Sequence, residues 1–405
     1  MKRLIALSMT GLLAASAVTA QTTLEVTAWK GNEAEPAGMD EIVAKFEAAH
    51  PDIDVELSYI SRSDTDVVIP PRLQSGNPPD VMMADMPLTK VWGDAGLLVD
   101  WGTDAEWYGR VPAGLQDAIT INGAAYVMPL EVIGMGLYTN MDLLAQVGID
   151  AAPTSLDDLK AACGALADAG IKPMLMTGGF PSVLFVIANG LEAATTPVAD
   201  LGNGTAQFVD DPGFSGALDT VRDLADARCF DAKEMAGVDP WSTALSEFKA
   251  GNFAMLPQGA WNIGSFREDP ALNFVFGPVP TASGTGVTAD LFGFGWVIAS
   301  ESENQAAAKT FVEFWSQPEN LQPLLDAEAA YSPFDDGASG TPALAAGYDA
   351  ARAAGGIRNY PFSVGQWPGA LDGEMQNSMT GFLLDLEQDN GDILVRWDET
   401  VEDNL

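Results

Sequence analysis

The chain has 405 residues, 47% of them hydrophobic, and carries 57 acidic against 19 basic side chains. A formal net charge of −38 argues against nucleic acid and anionic membranes as partners, because both bind basic surfaces. High apolar content with scattered charge predicts a folded globular chain. The acidity itself is typical of a solubility adaptation, for example to a salty medium, with a functional acidic patch as the alternative.

The N-terminus has the features of a secretory signal peptide over residues 1–20. Lys2 and Arg3 precede an almost wholly apolar stretch, and small residues lead up to Ala20. The stretch is too short for a stop-transfer helix, so we expect cleavage near Ala20 and a periplasmic, secreted protein. The remaining residues are too many for one ordinary core and predict two domains.

The first predicted elements form a β-α-β unit. Residues 24–28 alternate as a strand, apolar residues at helical spacing follow between positions 39 and 49, and residues 53–57 alternate again. A Gly-Asn-Pro-Pro turn then leads into a short apolar strand over residues 81–84, which ends on Asp85. This order is typical of an α/β sheet with helices on its faces.

Strands and amphipathic helices continue to alternate through the rest of the chain. The segment Thr154-Ser155-Leu156-Asp157 is typical of a capping box at a helix start. Residues 302–305 predict a second capped helix, in which Trp315 faces the core. The further predicted strands are residues 125–130, 136–138, 172–176, 253–256, 273–276 and 294–299.

Two cysteines, Cys163 and Cys229, fall at predicted helices of the same middle region. A secreted protein meets an oxidising compartment, where a disulfide can form between them. Two buried free thiols are the alternative, and the sequence leaves both interpretations open.

Catalytic constellations are sparse. The single histidine, His50, stands before a proline at a predicted helix end, which argues against a His-based triad or zinc site. The chain has no G-x-S-x-G and no Gly-Lys dipeptide, and a G-x-G-x-x-A match over residues 284–289 precedes a strand instead of opening a helix. We therefore expect no cofactor, no metal and no enzymatic activity. The many carboxylates keep a secreted glycoside hydrolase as an alternative.

Aromatic residues at turns and strand ends are the positive signal. Trp29 follows the first strand, Trp261 and Trp367 lie in turn-like segments, and residues 292–296 (FGFGW) alternate aromatics with glycine. Ligands of open α/β sheets bind outside the carboxyl ends of the strands.

Trp29, Asp85 and Glu131 each follow a predicted strand at that end. Aromatic faces suit the apolar face of a pyranose, and carboxylates accept hydrogen bonds from its hydroxyls. The pattern therefore predicts a sugar site.

Four blocks of the sequence carry a family resemblance. They contain a small-residue turn with a Pro-Asp strand, a Gly-x-x-Tyr-x-x-Pro strand with a Leu-Tyr-x-Asn-x-Asp-Leu hinge, a Phe-x-x-Gly-x-x-Ala-Met stretch ending in Trp, and a late strand and helix. The blocks are "LQSGNPPDVMMAD", "NGAAYVMPLEVIGMGLYTNMDLLAQVGI", "FKAGNFAMLPQGAWN" and "FGFGWVIASESENQAAAKTFVEFWSQPE". In this order, and over nearly the whole mature chain, they resemble the maltodextrin-binding-protein-like carbohydrate-binding proteins of ABC importers.

The resemblance implies an α/β protein of two lobes, each a mainly parallel sheet flanked by helices, with the ligand cleft between them. The lobes are expected over residues 21–132 and 285–320, and over residues 133–284 and 321–405. The resemblance also implies a monomer that binds a mono- or oligosaccharide, closes about a hinge and delivers the sugar to an ABC permease. Binders of other small solutes, such as polyamines or glycerol phosphodiesters, are the sibling alternative.

The resemblance and the aromatic pattern together give a predicted set of ligand-binding residues. Asp85 matches the position after the Pro-Asp strand, Glu131 the acid at the hinge, and Trp261 the ring after the Ala-Met strand. The full set is Trp29, Lys30, Asn32, Arg62, Asp64, Asp85, Glu131, Phe180, Trp261, Asn262, Gly293, Phe294, Trp296, Tyr331 and Trp367.

Overall fold

The computed structural model describes residues 21–29 and 38–405. Lys30 and Asn32, which we expected at the site, lie outside the described residues, as does the expected signal peptide. No helix in the described part of the chain combines the length and the apolar character that a bilayer crossing requires.

Strands and helices follow one another in chain order, with short 3₁₀ turns between them. The strands are β1 (Thr22–Trp29), β2 (Ile53–Ile60), β3 (Val81–Ala84), β4 (Thr120–Ile121), β5 (Ala124–Ala125), β6 (Val127–Pro129), β7 (Val132–Asn140), β8 (Lys172–Met174), β9 (Phe253–Gly259), β10 (Phe274–Gly277), β11 (Thr288–Phe292), β12 (Gly295–Ile298) and β13 (Ile357–Asn359). The helices are α1 (Met39–Ala49), α2 (Arg62–Gln74), α3 (Met86–Asp94), α4 (Ala113–Ile119), α5 (Met141–Ala145), α6 (Leu156–Asp168), α7 (Phe180–Ala193), α8 (Val198–Gly202), α9 (Pro212–Asp226), α10 (Ala232–Ala236), α11 (Thr243–Lys249), α12 (Ile263–Arg267), α13 (Gln305–Trp315), α14 (Pro318–Glu328), α15 (Ala346–Ala353), α16 (Gly369–Leu384) and α17 (Asn390–Glu402).

The first sheet has the order β2-β1-β3-β12-β6. β1 runs parallel to both β2 and β3, with Val26 in register with Leu57 on one side and Val81 on the other. The carboxyl ends of these strands therefore lie at one edge of the sheet, where Trp29 and Asp85 stand. β12 is antiparallel to β3 and β6.

The second sheet has the order β13-β11-β7-β9-β8, and β10 also pairs with β7. β7 is antiparallel to β9, β10 and β11, whereas β8 and β13 run parallel to their neighbours. The two-lobed α/β fold is thus confirmed, but both sheets are mixed. β7 and β12 each arrive from the other sheet and run against their new neighbours, which the sequence pattern does not reveal.

In the described part of the chain, three segments connect the two sheets. Leu130 and Glu131 lead from β6 into β7, Gly293 and Phe294 lead from β11 into β12, and α14 leads from the first lobe to Tyr331. Tyr331 pairs with Val132 at the start of β7. We expected residues 285–320 in the first lobe, but β11 hydrogen-bonds to β7 and places residues 288–292 in the second sheet.

Large aromatic side chains fill the core of each lobe. In the first lobe, Trp296 is fully buried with its ring 5.5 Å from that of Trp315, which confirms the core assignment of Trp315. In the second lobe, Trp367 packs edge-on against Phe208 at 5.0 Å. Such rings bury large apolar areas and fix how the helices lie on the sheets.

A disulfide joins Cys163 on α6 to Cys229 just beyond α9, with Cα atoms 4.7 Å apart. Of the two interpretations left open by the sequence, the structure has the disulfide. The helix start nearby differs by one position from the predicted capping box, because Ser155 Oγ accepts from the Asp158 backbone N–H at 3.0 Å. The first turn of α6 is therefore capped by Ser155 and Asp158, not by Thr154 and Asp157.

Candidate ligand-binding site

The first-lobe wall of the cleft is built around Trp29, the last residue of β1. Its ring meets that of Phe294 edge-on, with centroids 5.8 Å apart. The guanidinium carbon of Arg62 lies 5.4 Å from the Trp29 ring centroid, within the range of a cation–π contact. Trp29 is only half-buried, so a face of this group remains open to a ligand.

Asp85 extends this wall because it ends the neighbouring strand and caps α3. Its Oδ1 accepts from the Leu88 backbone N–H at 3.0 Å, which satisfies an otherwise unpaired helix donor. Its Oδ2 accepts from Arg62 Nε at 2.6 Å, and Arg62 also donates to Asp66 at 2.9 Å. Asp85 is therefore both a structural cap and a charged member of the wall.

The second-lobe wall carries an aromatic platform of Phe180, Trp241 and Trp261. Phe180 lies 5.1 Å from Trp241 and 5.9 Å from Trp261, and the two tryptophan rings are 6.4 Å apart. Gly179 has a φ of 75°, a conformation that favours glycine and that turns the chain into α7 directly before Phe180. Trp241 and Trp261 keep part of their surface exposed.

Polar side chains flank the platform on its α16 side. Tyr360, whose ring is 6.4 Å from Phe180, donates from its hydroxyl to Asp372 Oδ1 at 3.2 Å. Gln376 Nε2 donates to Asp372 Oδ2 at 2.9 Å. Burial raises the pKa of Asp372, its hydrogen bonds with Gln376 and Tyr360 lower it, and the negative charge of Asp85 raises it again.

Two more carboxyl groups lie at the hinge. Glu131 is 2% exposed, and its Oε2 has no hydrogen-bond partner among the described residues. Burial raises its pKa well above the usual range, and the charge of Glu328 adds to this; burial also raises the pKa of Glu328 to about 7. A Cβ on Gly293 would lie 2.2 Å from Glu131 Oε1, so a larger residue at this position would force the Glu131 side chain to shift.

The structure brings together most of the predicted set. The residues that lie on the two walls or at the hinge are Trp29, Arg62, Asp85, Glu131, Phe180, Trp261, Gly293 and Phe294. Asn262 follows Trp261 directly, is buried, and has an Nδ2 without a hydrogen-bond partner in the described residues.

Four predicted residues lie off the two walls, although Tyr331 stands in the third connection between the lobes. Trp296 and Trp367 are core side chains, and the Trp367 indole donates to the Val198 carbonyl at 2.9 Å. Tyr331 donates to Asp349 and lies under Arg352, whose guanidinium carbon is 4.1 Å from its ring centroid. Asp64 is exposed on α2. The prediction was wrong for the two tryptophans, because glycine and proline neighbours also occur where a core ring meets a tight turn.

Trp241, Tyr360, Asp372 and Gln376 were not predicted. The first follows Pro240 in a loop, which is the kind of position that marked Trp261, so its signal was present. The other three come from the C-terminal part of the chain, and only the packing of α16 beside α7 brings them to the platform.

The described residues contain no group of three His, Cys, Asp or Glu side chains placed to hold a metal ion. An apolar cavity of about 240 Å³ beside β7 and β10 shares no lining residue with either wall of the cleft. This cavity is therefore separate from the candidate site, which consists of the side chains on the two walls.

Comparison with known proteins gives the same architecture. Residues 30–322 match the family model of the bacterial extracellular solute-binding proteins. No curated protein matches the chain in sequence.

Several solved structures share the fold. The GacH receptor of Streptomyces glaucescens, solved unliganded and with acarbose, has 20% identity and a TM-score of 0.76 over 94% of this chain and 98% of its own. A chitin oligosaccharide binding protein has 20% identity and a TM-score of 0.74 over 94% and 98%. The sugar-binding protein MalE from Xanthomonas citri has 18% identity and a TM-score of 0.72 over 94% and 97%. With a family model that covers most of its length, this chain belongs to the bacterial extracellular solute-binding proteins.

Proposed function

We propose that this protein is the substrate-binding component of an ABC importer and that it binds a mono- or oligosaccharide between its lobes. The observation that carries the proposal is the pairing of an aromatic platform on one lobe with a charged wall on the other. Phe180, Trp241 and Trp261 offer ring faces, while Arg62 and Asp85 offer a donor and an acceptor.

This combination suits a sugar for a physical reason. A pyranose has an apolar C–H face that packs on aromatic rings and a rim of hydroxyls that hydrogen-bond to charged groups. A hydrogen bond to a charged group contributes roughly 1.5–3 kcal/mol where water is excluded. Closure of the lobes about the hinge excludes that water and buries the sugar on both sides.

Family membership and the structural neighbours support the same function. GacH was solved with acarbose and another neighbour is a chitin oligosaccharide binder, so this fold accommodates sugars in other proteins. We further propose that the chain is exported after cleavage near Ala20, acts as a monomer and delivers its ligand to a membrane permease. A disulfide between Cys163 and Cys229 suits an oxidising compartment outside the cytoplasm.

A thermal-shift screen over neutral mono- and oligosaccharides tests the proposal. We expect the melting temperature to rise with particular sugars, because a ligand that binds only the folded state stabilises it. Each hit is then recovered after prolonged incubation and analysed by mass spectrometry, and we expect it unchanged. A screen in which no sugar raises the melting temperature, or in which the hit is hydrolysed, would contradict the proposal.

A further inference from the structure

Two helices that carry a carboxylate near their N-termini, one from each lobe, begin close together. Asp85 caps α3 in the first lobe, and Asp372 lies in the first turn of α16 in the second. A Cβ built on Gly369 would lie 3.9 Å from Pro87 Cβ, so the starts of these two helices are nearly in contact. A bound ligand therefore lies in the field of both carboxylates.

Arg62, the cation on the first-lobe wall, is already paired with carboxylates. Arg62 donates to Asp85 and to Asp66. The described partners of Asp372 are the Tyr360 hydroxyl and the Gln376 amide, both neutral. The charge that these described side chains present to a ligand is consequently negative.

The N-termini of α3 and α16 do not make this negative region favourable for an anionic ligand. The N-terminus of a helix attracts anions through its unpaired N–H groups and its dipole. Asp85 accepts from the Leu88 N–H of α3, and Asp372 lies in the first turn of α16. At α3 the Asp85 carboxylate therefore already occupies the position that would favour an anionic ligand, and at α16 Asp372 adds a negative charge to a first turn that has no side-chain cap.

Unpartnered buried groups nearby point to a ligand with hydroxyls. Glu131 Oε2 and Asn262 Nδ2 have no hydrogen-bond partner among the described residues, and both side chains are more than nine-tenths buried. A hydroxyl can donate to the first group and accept from the second.

Resting on the proposed sugar-binding function, we propose that Asp85 and Asp372 select the ligand by charge. Neutral sugars and amino sugars bind between the lobes, and sugars that carry a carboxylate are rejected. Asp372 acts as the specificity-determining residue, because its described partners are neutral, whereas the charge of Asp85 is paired with Arg62.

The test uses matched sets of oligosaccharides whose sugar units differ in one functional group. Cellotriose, its C6-oxidised uronate and the chitosan trimer form one set; galactotriose, trigalacturonate and the galactosamine trimer form another. Affinities are measured by calorimetry for the wild type, for Asp372→Asn and for Asp157→Asn. Asp157 is a matched control because its side chain is 96% exposed on α6, away from the cleft.

We expect the carboxylated member of any binding set to bind at least tenfold more weakly than the neutral one. Asp372→Asn should reduce the ratio of the two dissociation constants, carboxylated over neutral, at least roughly threefold. Asp157→Asn should leave that ratio unchanged. A carboxylated sugar that binds the wild type as tightly as its neutral counterpart overturns the inference, and so does an unchanged ratio in a folded Asp372→Asn protein. If every sugar of the screen and of both sets fails to bind, the proposed function itself fails.

Discussion

Glu131 and Glu328 place two carboxyl groups together at the hinge, where burial raises the pKa of both. Glu328 reaches a pKa of about 7 in the folded protein, against 4.5 for an unperturbed glutamate. Between these values the folded state binds more protons than the unfolded chain, so the free energy of unfolding falls as pH rises. The loss is on the order of 3 kcal/mol and is complete about one pH unit above the folded-state pKa of about 7.

We predict that Glu328→Gln removes this part of the pH dependence. A neutral amide of similar shape cannot lose a proton, so the variant should be more stable than the wild type at pH 8 and similar to it at pH 5. Urea unfolding at the two pH values measures the difference. Glu319→Gln, an exposed position on the same helix, serves as the control. Parallel pH dependence in the wild type and Glu328→Gln would contradict the assignment.

Asp85 and Asp372 differ in how far the sequence alone could predict them as site residues. Asp85 was predicted because a carboxylate that directly follows a short buried strand must stand at the ligand edge of a parallel sheet. Asp372 carries no such mark, since an acid in the first turn of a helix is ordinary. Its proximity to Asp85 depends on how one lobe closes on the other, and that contact is not encoded in local spacing.

At the scale of elements, the disulfide ties α6 to the end of α9 across a separation of 66 residues. A cross-link stabilises the fold mainly by restricting the unfolded chain, and a loop of this length predicts about 4 kcal/mol at most. The aromatic platform is carried on other segments, which begin at Phe180 and lie around Trp241 and Trp261. Stability and binding should therefore respond separately to loss of the bond.

We predict that replacing Cys163 and Cys229 with alanine lowers the free energy of unfolding by about 2–4 kcal/mol. Sugar affinity should change less than twofold at a temperature where the variant is folded. Guanidinium unfolding and calorimetry measure the two quantities on one preparation, and reduction of the wild type should reproduce the stability loss. A variant as stable as the oxidised wild type would exclude the disulfide as a stabilising feature.

The exact ends of the strands, and the sheet to which each strand belongs, were harder to predict from the sequence. The strand over β1 was predicted because its residues alternate, and the structure extends it at both ends. The lobe to which β11 belongs could not be predicted, because its partner β7 lies about 150 residues earlier and the pairing is antiparallel. We therefore propose the second crossing at Gly293 and Phe294 instead of residue 285.

At the scale of the whole molecule, two lobes joined by a narrow hinge bring distant parts of the chain to one cleft. The first wall is built by β1, α2 and the segment that connects β11 to β12. The second wall is built by segments near residues 180, 241, 261 and 360–376. A net charge of −38 adds a negative field over the surface, which disfavours anionic partners. The fold could be predicted as a whole because four ordered sequence blocks span it, whereas the second wall needed the packed structure.

Calorimetry on wall variants tests most directly the proposal that a sugar binds between these two walls. With a sugar identified by the screen, Trp261→Ala removes a platform ring, and Asp85→Asn removes a charge but keeps the helix cap, since asparagine caps equally well. The control is Asp66→Asn, which removes the other Arg62 partner, a carboxylate whose side chain is 57% exposed. We predict that each wall variant weakens binding at least roughly tenfold, or 1.4 kcal/mol, and that the control does not. Unchanged affinity in both wall variants would contradict the claim that the ligand lies in this cleft.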